Sequence, residues 1–162
     1  MIEHEGKYYY PQQDVEKCIA DIAQYITNKT HIITFYRGGL PLSVRLSNQF
    51  NLPLSILDYQ TYDNNVKTKN NVSVSFMKNA GIKEGEDLLI VDDIADSGDT
   101  INTALKFLEM NYSDSNNKKT VYTMIGNNEK HPKEWKYKFK HLGWSVFNWE
   151  SDFESNTNII KG

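Results

Sequence analysis

The chain has 162 residues, 39% of them hydrophobic, with a formal net charge of −3, which suffices for one domain with its own core and excludes a globally basic nucleic-acid binder. Its single cysteine, Cys18, excludes an intrachain disulfide or a cysteine-rich metal site, and its place in an amphipathic stretch predicts a small core residue. No apolar run approaches the length of a membrane span, and Met1-Ile2-Glu3-His4-Glu5 lacks the charged-then-apolar pattern of a signal peptide, so a cytoplasmic protein without membrane contact is expected.

Val15, Cys18, Ile19, Ile22 and Ile26 fall at helical spacing and predict an amphipathic helix over Asp14–Ile26. Ile32–Phe35 is a short β-rich run that stops at Arg37-Gly38-Gly39. Pro41–Phe50 then predicts a helix, with Pro41 tolerated in its first turn. Leu54–Tyr59 is a strand. Gln60–Ala80 is rich in Asn and Lys and predicts a long mobile loop, whose alternating Val-Ser-Val-Ser-Phe piece folds back as a hairpin. Glu86–Asp93 is the central strand and Thr100–Met110 a helix, with Ile101, Leu105 and Leu108 on one face. Asn111–Lys119 is a polar turn, Thr120–Ile125 a strand, and Ser145–Trp149 the last strand. Alternating β and α elements with near-continuous apolar strands predict an α/β fold with a mostly parallel sheet and helices on both faces. Without a repeat, low-complexity tract or domain-scale linker, residues 1–162 read as one domain, and the polar end (156–162) as a flexible tail.

The run from Leu88 to Thr100 carries the chemistry. A buried strand ends in two adjacent acids, Asp92 and Asp93, and a third, Asp96, follows. Adjacent carboxylates repel, so a purely structural role gains nothing from the pair. Ser97-Gly98-Asp99-Thr100 then opens a helix, where backbone N–H groups and small hydroxyls can cradle a phosphate. Gly98 allows close backbone approach, Thr100 can cap the helix and hold a phosphate oxygen, and Asp99 should point away. Carboxylates beside a phosphate cradle suit a ligand bearing sugar hydroxyls and phosphate, with a divalent cation. Arg37, Gly38 and Gly39 follow the first strand at the edge where open α/β sheets bind ligands. The only other arginine, Arg45, falls within a helix and reads as a surface charge. From His131 to His141, Trp135, Tyr137 and Phe139 interleave with lysines. That pattern can bind single-stranded nucleic acid, but a strand or turn with one buried and one solvated face explains it more simply. The four histidines lack metal-ligand spacing, and neither a Walker-type nor a dinucleotide glycine pattern occurs.

Three ordered motifs carry a family resemblance. Leu88–Thr100 closely resembles the phosphoribosyl-pyrophosphate (PRPP) motif of type I phosphoribosyltransferases. Tyr36-Arg37-Gly38-Gly39-Leu40 resembles the pyrophosphate loop of bacterial xanthine–guanine phosphoribosyltransferases. Trp144-Ser145-Val146-Phe147-Asn148-Trp149-Glu150 resembles the C-terminal Trp-Ile-Val-Phe-Pro-Trp-Glu signature of the xanthine/hypoxanthine–guanine branch. The resemblance implies the type I phosphoribosyltransferase fold with a small hood built from terminal segments. It implies transfer of a 6-oxopurine (hypoxanthine, guanine or xanthine) to PRPP with Mg²⁺, giving the nucleoside 5′-monophosphate and pyrophosphate. Asp92 and Asp93 would reach the ribose hydroxyls directly or through the metal, and Asp96 would exchange the purine proton. Ser97, Gly98, Asp99 and Thr100 would bind the 5′-phosphate, and Arg37, Gly38 and Gly39 the leaving pyrophosphate. Thr61-Tyr62 stands where the mobile catalytic loop has a Ser-Tyr pair, with Lys67 and Lys69 closing over pyrophosphate. Trp144 would stack on the base, with Ser145 and Val146 beside it. Where the purine branch has a lysine for the 6-oxo group, this chain has Asn127, with Lys130 slightly further on; either can read that position. A homo-oligomer, dimer or tetramer, is implied. The alternatives are the same chemistry on another base and a PRPP-sensing regulator without catalysis; fold alone does not separate them.

Overall fold

The computed structural model describes residues 1–35, 37–59, 72–75, 81–95, 98–111, 118–127, 135–151 and 153. Nine strands and three α-helices run in the order β1 (Ile2–His4), β2 (Lys7–Tyr10), α1 (Gln12–Ile22), β3 (Thr30–Phe35), α2 (Leu40–Phe50), β4 (Leu54–Tyr59), β5 (Val72–Ser75), β6 (Asp87–Ala95), α3 (Asp99–Asn111), β7 (Lys119–Gly126), β8 (Trp135–Lys140) and β9 (Trp144–Phe147) among the described residues.

The apolar runs of β3 and β6 form central strands because both of their faces are covered. Along each, side chains alternate between two cores. Ile32, Leu89 and Val91 pack with Val15, Cys18, Ile19 and Ile22 of α1 and Leu42 and Leu46 of α2. Ile33, Leu88 and Ile90 pack on the opposite face with Ile101, Ala104 and Leu108 of α3. The six-stranded sheet has the order β5-β4-β3-β6-β7-β8. All neighbours from β4 to β8 pair in parallel. At the edge, β5 lies antiparallel on β4, with Ile56 opposite Ser75 and Tyr59 opposite Val72, so the alternating Val-Ser-Val-Ser piece does fold back as a hairpin. The chain winds outward from β3 to β4, then returns to β6 and winds the other way. The two connections therefore diverge at the C-terminal ends of β3 and β6 and open a crevice there.

A second, three-stranded sheet has the order β1-β2-β9 and joins the two terminal regions as a hood. β2 and β9 run parallel, from Lys7 opposite Trp144 to Tyr10 opposite Phe147. Tyr10 stacks on Phe147 at 5.6 Å and meets Phe139 of β8 at 5.3 Å, which fastens the hood to the α1/α2 core. Phe147 in turn stacks on Trp149 at 4.8 Å and 3°.

Several boundaries differ from the expected ones for local reasons. The first helix ends at Ile22 rather than Ile26: a 3-10 turn, Ala23–Tyr25, follows, and Ile26 is already extended. The Gln24 amide donates to the Asp21 carbonyl at 2.8 Å, satisfying one of the carbonyls a helix end leaves open. The central strand continues past Asp93 to Ala95, because Ile94 and Ala95 still pair with Ile125 and Gly126 of β7. The last strand starts at Trp144 and stops at Phe147, where the Glu150 carboxylate accepts the Phe147 N–H at 3.0 Å and turns the chain. The β1–β2 hairpin was not among the expected elements. Its turn is Glu5-Gly6, with both residues at positive φ, 49° and 73°, the conformation that two-residue hairpins favour.

The lysine–aromatic run is the edge strand β8. Trp135 is buried and donates its indole N–H to Thr123 Oγ1 at 3.0 Å, while Lys136, Lys138 and Lys140 are exposed. Lys138 pairs with Asp21 of α1 at 3.6 Å. Lysines along an open edge discourage pairing with other chains, which accounts for the alternation. Cys18 is fully buried in the α1/α2 core, as expected, and burial pushes its thiol up to about 12. No helix among the described residues is long and apolar enough to cross a membrane.

Asp14, buried in α1, is held by the Lys17 ammonium at 2.7 Å and by the Met1 ammonium. Burial alone would raise its carboxyl, but these two hydrogen-bonded charges outweigh burial and hold it below the usual range. A carboxyl depressed in the folded state stabilises above its unfolded pKa, about 3.9, and loses that stabilisation as pH falls through the folded value. Asp14→Asn is therefore expected to melt at a lower temperature than the parent chain at neutral pH, with the gap closing in acid. A gap that stays constant well below pH ~3.9 would show that charge is not its source.

Candidate active site

At the C-terminal ends of β3 and β6 the last paired residues are Thr34 and Val91. Beyond them come the Arg37-Gly38-Gly39 turn on one strand and Asp92-Asp93 on the other. The turn is closed by Leu40 N–H donating to the Arg37 carbonyl at 3.2 Å, and α2 begins as Ser43 N–H donates to the Gly39 carbonyl at 3.1 Å. Its backbone lies directly on the acids. A Cβ on Gly38 would fall 2.6 Å from Asp93 Oδ1. A Cβ on Gly39 would fall 2.8 Å from the Val91 carbonyl oxygen and 3.0 Å from Asp92 Oδ1, and would overlap the Thr34 hydroxyl. Only glycine allows that approach at both positions.

The acid pair also interrupts the strand's alternation. Val91 and Ile94 both face the α1/α2 core, although residues three apart in a regular strand face opposite ways. At the break, Asp93 N–H donates to Asp92 Oδ1 at 3.0 Å and Ile94 N–H to Asp93 Oδ1 at 2.7 Å, so backbone donors are turned toward the carboxylates. Asp92 is buried and Asp93 half-buried. Burial, and then the neighbouring Asp93 carboxylate, push Asp92 well above the usual carboxylate range. Burial also raises Asp93, partly offset by the Ile94 N–H. Among the described residues no cationic side chain pairs with either. Nor does any cluster of three or more His, Cys, Asp or Glu side chains suit a metal.

After β6, Gly98 sits at φ +77°, in the left-handed region that favours glycine, and its carbonyl accepts the Asn102 N–H at 2.9 Å as α3 begins. Asp99 is the exposed first residue of α3 and Thr100 is half-buried. Gly98, Asp99 and Thr100 thus form the N-terminus of α3. Arg37 is exposed on its turn. Arg45, by contrast, pairs with Glu16 at 3.1 Å on the outer surface of α1 and α2, as expected of a surface charge.

Two further expected positions lie beyond this edge. Asn127 follows β7 directly and is half-buried. Trp144 opens β9 in the hood with 69% of its surface exposed, beside half-buried Ser145. The two regions are linked through the backbone, since His141 N–H, just before the hood strand, donates to the Gly126 carbonyl at 2.8 Å. Tyr62, Lys67, Lys69, Asp96, Ser97 and Lys130 lie outside the described residues. One residue at the site was not expected. Thr34, fully buried on β3, contacts both the glycine turn and the acid-bearing strand. Its signal was a lone hydroxyl in an otherwise apolar run just before the Arg-Gly-Gly turn.

The winding defines an open-sheet α/β domain, a class whose ligand sites lie where the strand order reverses. The sequence pattern of the phosphoribosyl transferase domain matches residues 6–156, and the chain belongs to that family. Over 101 residues it is 31% identical to a hypoxanthine/guanine phosphoribosyltransferase of Methanosalsum zhilinae, covering 60% of this chain and 52% of that one. The chain spans about half the length of the curated relatives it matches. The fold is shared with a purine phosphoribosyltransferase from Pyrococcus horikoshii (TM-score 0.73, 22% identity, 90% of this chain and 95% of that one). It is also shared with the Helicobacter pylori xanthine-guanine-hypoxanthine phosphoribosyltransferase (TM-score 0.72, 21% identity, 94% and 99%).

Proposed function

We propose that the chain joins a 6-oxopurine to PRPP. The observation that carries this reading is the Arg37-Gly38-Gly39 backbone laid on the Asp92–Asp93 pair at the switch point. That arrangement sets a backbone turn opening with Arg37 against two carboxylates, and a ligand bearing both ribose hydroxyls and a diphosphate calls for backbone N–H groups, a guanidinium and acids drawn from one such edge. The oxopurine preference rests on the hypoxanthine/guanine relatives and on the exposed indole of Trp144 at the hood.

In the reaction, a ring nitrogen of the purine bonds to the anomeric carbon of PRPP as that carbon's bond to pyrophosphate breaks. Arg37 and the Gly38 and Gly39 amides stabilise the leaving pyrophosphate. Asp92 and Asp93 hold the ribose hydroxyls as positive charge develops on the sugar. Asp96 takes the proton the purine nitrogen loses. The Ser97–Thr100 loop holds the 5′-phosphate at the α3 N-terminus. Tyr62 and Lys67, on the loop expected to close over the site, exclude water. Trp144 stacks on the base, Ser145 lies beside it, and Asn127 or Lys130 reads its 6-position. The donor set fits Mg²⁺: two adjacent carboxylates, both raised by burial, with no cationic side chain on them among the described residues. Asp92 and Asp93 would hold the ion, which when bound neutralises charge on PRPP's diphosphate.

The test is pyrophosphate release from PRPP and Mg²⁺, with hypoxanthine, guanine, xanthine, adenine and orotate offered separately. Turnover with an oxopurine is expected. Turnover with adenine or orotate alone would move the chemistry to another base, and PRPP binding without turnover would favour a PRPP sensor. Because Trp144 is mostly exposed, Trp144→Ala should leave the melting temperature unchanged. Loss of aromatic stacking, worth about 1–3 kcal/mol per base, should raise KM for the purine roughly 5- to 150-fold and spare KM for PRPP. Equal effects on both KM values would remove Trp144 from the base site.

A further inference from the structure

We infer that Thr34 is a positioning residue that sets the interval between the acid pair and the glycine turn; the inference deepens the reading above and rests on it. Thr34 is fully buried in the last β3–β6 pair, opposite Val91. Its hydroxyl donates to the Val91 carbonyl at 2.9 Å, the peptide unit that leads into Asp92. The same oxygen occupies the space a Cβ on Gly39 would need. One atom therefore touches both halves of the site: it anchors the start of the acid pair and forms the floor on which the glycine turn rests. A hydroxyl serves this place where a methyl of the same shape would not, because only the hydroxyl can donate. The Val91 carbonyl sits where the strand's alternation breaks, and Thr34 supplies a donor to it across the strands.

The pair of substitutions that separates this role from simple packing is Thr34→Val, which keeps the shape and removes the donor, and Thr34→Ser, which keeps the donor and removes the methyl. For Thr34→Val, KM for PRPP is expected to rise about tenfold, the scale of one lost hydrogen bond, with KM for the purine unchanged. The amides of Asp93 and Ile94, which donate to the acid pair, should exchange with solvent faster in Thr34→Val than in the parent chain. Thr34→Ser should restore both values. If Thr34→Val does not fold, Thr34→Ala is compared with Thr34→Ser in its place. Parent-like PRPP KM and amide exchange in Thr34→Val would overturn the inference. A Thr34→Ser variant as impaired as Thr34→Val would do so too, because it would assign the effect to the methyl. Absence of turnover by the parent chain with every base would instead defeat the transferase reading. Amide exchange at Asp93 and Ile94, together with calorimetric binding of pyrophosphate, would still decide the role of Thr34.

Discussion

Gly39→Ala is expected to reduce kcat/KM for PRPP by about 10²-fold or more and to destabilise the fold by about 1–3 kcal/mol. The physical reason is specific to the position. The added methyl would meet the Val91 carbonyl at 2.8 Å and Asp92 Oδ1 at 3.0 Å and overlap the Thr34 hydroxyl; the first is backbone, and the other two belong to buried side chains held by hydrogen bonds. The turn must lift off the sheet, carrying Arg37 and the first turn of α2 with it. A displacement on the order of 1 Å in a site that works by alignment costs about two decades in rate. Gly6→Ala is the control. It sits at φ +73° with nothing within 4 Å of an added Cβ, so it should cost stability through backbone strain alone and spare PRPP kinetics. Steady-state kinetics with thermal melting distinguish the two. A Gly39→Ala variant with parent-like PRPP kinetics would mean that the turn's seat on the acids has no functional consequence.

The second large effect is a trade between stability and activity at Asp92. Asp92 is buried beside another carboxylate, its charge disfavoured first by burial and then by Asp93. Asp92→Asn keeps the shape, preserves an oxygen to accept the Asp93 N–H, and removes the repulsion. The metal-free protein should therefore melt higher, by about 2–4 °C for each ~1 kcal/mol relieved in a chain of this size. Turnover should fall by about 10²–10³-fold, the scale observed when one pre-placed electrostatic group is removed from an active site. Higher stability with lost activity identifies a site whose strain serves its chemistry. Lower stability would instead make Asp92 a structural acid.

Much of this was legible in the sequence because the central strands are buried on both faces and carry their signal as continuous apolar runs. Ile32–Phe35, broken only by Thr34, and Leu88–Val91 are such runs, and the glycines and acids that follow them stand out against that background. The helices α2 and α3 were placed within a residue of their observed ends, since apolar periodicity and the turn residues agreed there. The β1–β2 hairpin was hidden because its turn is Glu5-Gly6 rather than an Asn-Gly or Asp-Gly pair. Its strands also gain their stability from a partner at the far end of the chain, β9. The extension of β6 past Asp93 to Ala95 was hidden for a related reason: pairing of Ile94 and Ala95 with β7 carries the strand beyond two acids at which local propensity would end it. Thr34 could not be singled out from spacing. Its role comes from a contact to Val91, on a neighbouring strand far along the chain.

The most direct measurement of the central claim is mass spectrometry of the product formed from hypoxanthine and PRPP with Mg²⁺. Inosine 5′-monophosphate in equal amount to the pyrophosphate released is the predicted result, formed about 10²–10³-fold more slowly by Asp92→Asn. PRPP bound by the chain but recovered intact, with no nucleotide formed from any oxopurine, would contradict it.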